Sequence, residues 1–371
     1  MARTHDVVVL GATPAGFAAA YYLARQKLDV SVMDAPAPCV ECPLSDWSPK
    51  GLIGVAGLPP GLGKRSGAAA FSRVCYHSVQ LNQQVEHRSR GTLGHFVRAG
   101  QLVQALRSAC RAAGVRTYAG ATSPAIRLEE DHVELIGSNH LTGRLLIVAQ
   151  SRPNDVLGEL AMPLRTVPNA TLVAAGVDVP LRARSARSLA GALHVVELPE
   201  RSELGAFFAV RDMLHLRVIS NSPASGTRAA ELSSMVARLQ QARLIPADLA
   251  LGRATGAVWR PPAGVALELE THVAKRCLLA GTAGGFAESI TGQALAPSVR
   301  SALLAAKVAA EALKARDVQG ELMKFKTVWR RSLADSLRPP NTSLHMLLPL
   351  LFVNERIVAK FTRALLYGEN I

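Results

Sequence analysis

The chain has 371 residues, 49% of them hydrophobic and 19% charged, which is enough apolar material for a large core and excludes a disordered tail. Its five cysteines are too few for a disulfide framework, so a reducing compartment is expected. The formal charge of +14 would attract nucleic acid or anionic lipid, but the positive residues are dispersed, with small clusters at Arg182, Arg184 and Arg187 and at Arg330 and Arg331. No aromatic-interleaved basic motif accompanies them, so a nucleic-acid partner is not expected; a solvated basic surface or attraction to a membrane surface remains.

In chain order, MARTHDVVVL runs into a strand without a long apolar leader region or a small-residue cleavage site, and a cytoplasmic protein is expected. Val7 to Leu10 suit a buried parallel strand, and Gly11 permits a tight turn out of it. Pro14 fits a first helical turn, where its missing N–H costs nothing, and Ala15, Ala19 and Leu23 repeat at helical spacing behind it. LDVSVM (28 to 33) then predicts a second strand ending at Asp34, completing a βαβ unit of about thirty residues. Such a unit binds a dinucleotide when free N–H groups at the helix start face a pyrophosphate and an acidic residue accepts the ribose hydroxyls. Gly11, Thr13, Pro14, Ala15, Gly16 and Asp34 are the candidates for those roles, with Thr13 standing where a second glycine belongs.

Further along, Leu102, Leu106, Ala109 and Ala113 mark a helix closed by Gly114, and DHVELIG and RLLIVA predict two more strands of the same domain. From about 152 to 270 the pattern becomes strand-like. In MLHLRVIS, Leu214, Leu216 and Val218 alternate with His215 and Arg217, predicting a sheet with one covered face. A helix carrying Leu232, Met235, Val236 and Leu239 interrupts this region. A second glycine turn follows in CLLAGTAGGFAESITGQALAPSVRSALLAAKVAAEAL (277 to 313), where an apolar strand enters the turn and a long helix leaves it.

The βαβ unit, HFVRAGQLVQALRSACRAAGV (95 to 115), WRPPAG (259 to 264) and the second glycine turn together resemble, in that order, the geranylgeranyl-reductase-like and aromatic-hydroxylase-like FAD-dependent oxidoreductases over residues 5 to 315. The resemblance implies an α/β fold: a Rossmann-like FAD-binding domain (1–151, returning at 271–315), an inserted β-rich substrate domain (152–270) and a C-terminal helical tail (316–371). It implies FAD as cofactor, with NAD(P)H a candidate electron donor, and an apolar substrate of isoprenoid or lipid type. It places Arg98 near the FAD phosphates, Gly281 and Thr282 at the ribityl chain, and Thr291 and Gly292 in the loop facing the flavin ring.

The chain departs from the family pattern at several of these positions. Thr282 replaces the ribityl-binding aspartate, Ser289 the loop proline and Ala294 its last glycine, while Ala149-Gln150-Ser151 replaces Ala-Asp-Gly. A threonine still hydrogen-bonds a ribityl hydroxyl, without the charge-assisted strength of a carboxylate. Two other readings therefore stand beside the enzyme: a flavin-less relative kept as a binding or partner protein, and a nicotinamide-dependent dehydrogenase using the first βαβ unit alone, which leaves 277 to 313 unexplained.

Other motifs carry less. Cys39 and Cys42 in CVEC, with Cys75 and His77, have zinc-ligand character but lack a second CxxC, and incidental thiols are the simpler reading. GLGKRS (61 to 66) fails as a phosphate loop at Leu58 and Arg65, and no spacing nominates a general acid or base. In the tail, LHMLLPLLFV (344 to 353) is too short to span a bilayer. The segment after it places Ile357, Phe361, Leu365 and Leu366 on one face and Arg356, Lys360 and Arg363 on others. Two readings fit that pattern: a peripheral anchor on an anionic membrane, and a helix covering the substrate pocket within the fold.

Overall fold

The computed structural model describes residues 4–371 apart from 35–39, 42, 121–123, 138, 152–159, 161–171, 200–202, 222–227, 252–254 and 340. Eighteen strands are present among the described residues: β1 (Thr4–Leu10), β2 (Val30–Asp34), β3 (Asp46–Pro49), β4 (Ala69–Phe71), β5 (Arg73–His77), β6 (Gln84–Arg88), β7 (Gly94–Val97), β8 (Arg116–Ala119), β9 (Ala125–Leu128), β10 (Val133–Ile136), β11 (Leu141–Val148), β12 (Val173–Pro180), β13 (Ala192–Glu197), β14 (Glu203–Val210), β15 (Met213–Ser220), β16 (Thr255–Trp259), β17 (Val273–Ala274) and β18 (Cys277–Leu279).

The apolar run at the start of the chain is the centre of the first sheet. β1 lies between β11 and β2, both parallel to it, and the path β17-β18-β11-β1-β2-β8 is extended by the β9–β10 hairpin beside β11. A parallel sheet must be covered on both faces, which is why Val7 to Leu10 are all buried. One cover is helix α1 (Pro14–Arg25), whose alanines allow close approach to the sheet and to the helices 99–112 and 295–312. The expected βαβ unit is thus present, with β1 starting three residues before the expected Val7 and β2 running from Val30 to Asp34.

The second sheet has the order β16-β12-β15-β14-β13-β5-β6. Most of it comes from the expected β-rich stretch, but β5 and β6 come from residues 73–88, and β5 pairs in parallel with β13. A third, small sheet, β3-β7-β4, lies between the two larger ones in chain order.

The sheet with one covered face is corrected in one respect. Every residue of β15 from Leu214 to Ser220 is buried, His215 and Arg217 included, because both faces are covered. One face packs on the helix Arg228–Gln241 through Leu216, Val218, Met235 and Leu239. The other holds the two polar side chains, Arg217 against Asp46 of β3 and His215 against Asp178 of β12.

The tail folds back onto the second sheet. Leu344, Leu348 and Leu351, then Val358, Phe361, Leu365 and Leu366, join its core, and Tyr76 Oη on β5 lies 2.8 Å from Thr362 Oγ1. The apolar face expected of the last helix is the buried one, while Lys360 and Arg363 lie outside it.

Candidate flavin site

The first glycine turn is built as the sequence predicts, although its glycines serve the backbone first. Gly11 has φ +114°, and a Cβ there would lie 2.6 Å from the backbone N of Gln150, so the turns after β1 and β11 sit back to back. A Cβ at Gly16 would overlap the carbonyl oxygen of Gly11, so the helix start is pressed onto the turn. Thr13 caps α1: its hydroxyl accepts from Gly16 N at 3.1 Å and donates to Ala149 O at 2.8 Å. The residue in the middle glycine position therefore closes the turn against the end of β11.

The donor that this leaves at the helix start is the Ala15 N–H, and it is taken. Glu41 Oε2 accepts it at 3.0 Å, and Glu41 Oε1 lies 3.2 Å from the Thr13 hydroxyl. The second glycine turn faces the same carboxyl from the other side, with the Thr282 backbone N–H among the groups that lower its pKa. Glu41 is fully buried; burial pushes its pKa up to about 8 against the opposing effect of those hydrogen bonds. Its neighbours Cys39 and Cys42 lie outside the described residues.

The second turn runs as a tight 3₁₀ segment, Gly281–Gly284, after β18, and Gly281 N donates to Ser301 Oγ in the following helix at 3.0 Å. Beyond it, Glu288 accepts from Ile290 N, Thr291 N and Thr291 Oγ1, each at 2.7 Å, and so folds the loop on itself. Burial raises the Glu288 pKa. Gly292 takes φ +65° where a side chain would run into Pro261, and Ala263 bridges Ala287, which brings WRPPAG against this loop. Ser289, in the proline position, donates to Leu337 O.

Asp34 stands at the end of β2 with Arg107 Nη2 2.7 Å from its carboxylate. Arg98 precedes the helix 99–112, but its guanidinium pairs with Asp212 at 3.2 Å in the turn between β14 and β15. The structure thus brings Gly11, Thr13, Pro14, Ala15, Gly16, Gly281 and Thr282 together around Glu41, with Asp34 at the end of the adjoining strand and Thr291 and Gly292 in the loop beyond. It turns Arg98 towards Asp212.

Three buried polar atoms here have no hydrogen-bond partner among the described residues: Gln150 Oε1, Thr282 Oγ1 and Gln293 Nε2. Each belongs to a segment that the resemblance assigns to the cofactor, and an orphaned buried polar atom is a cost that a polar ligand removes. A cavity of about 240 Å³ adjoins the loop, with Trp47, Leu52, Leu365 and Leu366 giving it apolar walls and Thr291 and Gln293 a polar edge. The glycine turns and the orphaned atoms fit a flavin dinucleotide; the Glu41 carboxyl takes the N–H at the start of α1.

No protein-family model matches the chain, and no curated protein is significantly similar to it in sequence. Its fold matches solved structures along almost its whole length. A geranylgeranyl bacteriochlorophyll reductase-like protein from Thermoplasma acidophilum superposes with a TM-score of 0.77 at 14% identity, covering 100% of this chain and 98% of that one. The chain has the fold of the FAD-dependent oxidoreductases. PqsL, a probable FAD-dependent monooxygenase from Pseudomonas aeruginosa, gives 0.69 at 17% identity over 97% of this chain and 99% of its own. The p-nitrophenol 4-monooxygenase from Pseudomonas putida gives 0.68 at 14% identity over 98% and 94%.

Glu41 was the residue that sequence reasoning missed, because CVEC drew attention to its thiols. A signal existed: Glu41 is the one charged residue in APAPCVECPLS, and a lone carboxylate in an apolar loop beside a dinucleotide-type turn invites the question of what it bonds.

Proposed function

We propose that the chain is an FAD-dependent oxidoreductase of the reductase and monooxygenase type, with FAD laid between the two glycine turns and an apolar small molecule in the cavity beside the 288–297 loop. The observation that carries this reading is the placement of the orphaned Gln150 Oε1, Thr282 Oγ1 and Gln293 Nε2 on three separate segments of the expected cradle. Asp34 would hold the ribose, Gln150 and Thr282 would take hydroxyls of the ribityl chain, and the Thr291–Gln293 backbone would face the ring. Bound there, the flavin would supply the redox chemistry, and NAD(P)H would be its electron donor.

This chain's own residues would orient and exclude water. Trp47, Leu52, Leu365 and Leu366 give the cavity an apolar wall, and its volume is that of about eight liquid waters, which suits a small apolar substrate or one end of a longer one. Glu288 is committed to its own loop by three hydrogen bonds and is not offered as an acid or base.

The test is the purified protein's absorbance. Yellow protein that releases FAD on denaturation supports the reading; folded, colourless protein that gains no flavin on incubation points to a flavin-less relative, the alternative that Glu41 at the α1 N-terminus favours. A nicotinamide-dependent dehydrogenase would leave the second turn and its loop without a role.

A peripheral contact with anionic membrane would use the outer side of the tail. Met346, Leu350 and Val353 are exposed there, and Arg356 and Lys360 follow them. Among the described residues, no helix is long and apolar enough to cross a membrane. Sedimentation with phosphatidylglycerol liposomes, against a Met346→Ser, Leu350→Ser, Val353→Ser variant, tests this contact; equal sedimentation of the two proteins would refute it.

A further inference from the structure

We infer that the carboxyl of Glu41 occupies the seat of a nucleotide diphosphate, and that a diphosphate-bearing ligand such as a flavin dinucleotide enters only when this side chain swings away. The inference rests on the flavin reading above and adds a competitor built into the site.

The first turn donates its Ala15 N–H to this carboxyl at 3.0 Å, and the second turn closes on it at Gly281. A free N–H at a helix start is a donor that a phosphate oxygen uses, and a carboxyl oxygen satisfies it in the same way. The fit is also spatial. A Cβ on Gly281 would lie 2.6 Å from Glu41 Oε1, so the carboxyl fills the room that this glycine leaves between the turns. A phosphate and this side chain cannot share that room.

The surroundings give the carboxyl no cation. Among the described residues no ion pair reaches Glu41; Arg98 is turned to Asp212 and Arg107 to Asp34. An ionised Glu41 left in place would therefore repel an incoming diphosphate without a neutralising partner. The backbone beside it is tied, with Val40 N donating to Ser151 Oγ at 3.0 Å, so the movement assigned here is a rotation of the side chain.

The test is calorimetric titration of the full chain with ADP, FAD and riboflavin, the last carrying the ring without phosphates. Glu41→Ala clears the seat and is expected to bind ADP and FAD at least tenfold more tightly than the parent, with riboflavin unchanged. Glu41→Gln keeps the shape and loses the charge the carboxyl carries in its ionised form, and with all titrations run at pH 9 it is expected to show a smaller gain. Cooperative thermal melting checks that each variant is folded; if Glu41→Ala is not, the Gln variant decides, and an affinity equal to the parent's overturns the inference. Equal or weaker binding of FAD by folded Glu41→Ala makes Glu41 part of the cradle; the competitor is then wrong and the flavin reading stands. If no folded form binds ADP or FAD, both fall.

Discussion

Arg217 and Asp46 meet at 3.1 Å with side chains 2% and 3% exposed, and the guanidinium lies between the rings of Trp47 and Trp259, 4.8 and 4.9 Å from their centroids. Its Nε donates to His215 Nε2, so the proton of that ring is on Nδ1, 2.7 Å from Asp178. Burial pushes His215 down to about 4, which keeps the ring neutral. This network stands behind Trp47, a wall of the cavity, so it fixes one side of the proposed substrate site. Asp46→Asn or Arg217→Met alone is expected to lower stability by about 3–5 kcal/mol, since each leaves a buried charge without its partner. The double variant is expected to recover part of that loss. Urea unfolding of all three proteins checks both statements.

Glu41 links the same turns to pH. Its folded pKa of about 8 lies above the ordinary carboxyl value of 4.5, so the folded state holds the proton more tightly than the unfolded chain. The contribution is complete below about pH 4.5 and is lost as the pH rises through about 8. The melting temperature of the parent is therefore expected to fall relative to Glu41→Gln between pH 5 and 9. Asp46, raised by burial to about 6 although Arg217 opposes the shift, affects both proteins equally and cancels from the difference. Parallel melting curves across this range would show that Glu41 ionises normally.

Thr13 separates motif from stability. Thr13→Gly restores the glycine-rich pattern yet removes the cap on Gly16 N, expected to cost a few tenths of a kcal/mol, and the bond to Ala149 O, expected to cost about 1 kcal/mol, while Thr13→Ser keeps both. Chemical denaturation midpoints of the two variants test this. A Gly variant as stable as the parent would remove the capping role.

The Arg98–Asp212 pair has side chains 32% and 72% exposed, so Arg98→Ala is expected to change stability by less than about 1 kcal/mol. Any loss of flavin from that variant would then report on binding. Unchanged flavin retention would remove Arg98 from the cradle.

The βαβ unit was readable because strand, turn and helix each leave a local periodic signature, and Pro14, Gly16 and Asp34 fall within one such unit. The second turn was readable for the same reason. What escaped was non-local. Nothing near Arg217 announces Asp46, 171 positions earlier, so alternation in β15 looked like one wet face when it was a buried ion pair. Glu41 escaped likewise, since its partners Thr13 and Ala15 lie 28 and 26 positions earlier. Residues 73–88 read as part of the first domain because pairing with β13 depends on a contact 119 residues away, Arg73 against Ala192.

That last pairing also governs how the molecule comes apart. The chain leaves the nucleotide-type sheet after β2, lays β5 and β6 into the other sheet, returns for β8 to β11, and departs again for β12 to β16. Neither sheet can be cut out as one continuous peptide without stripping strands from its neighbour. A protease nick in an exposed loop should therefore release no self-sufficient fragment, and the two halves should melt in one step, so that loosening either end of the cavity is felt throughout the protein.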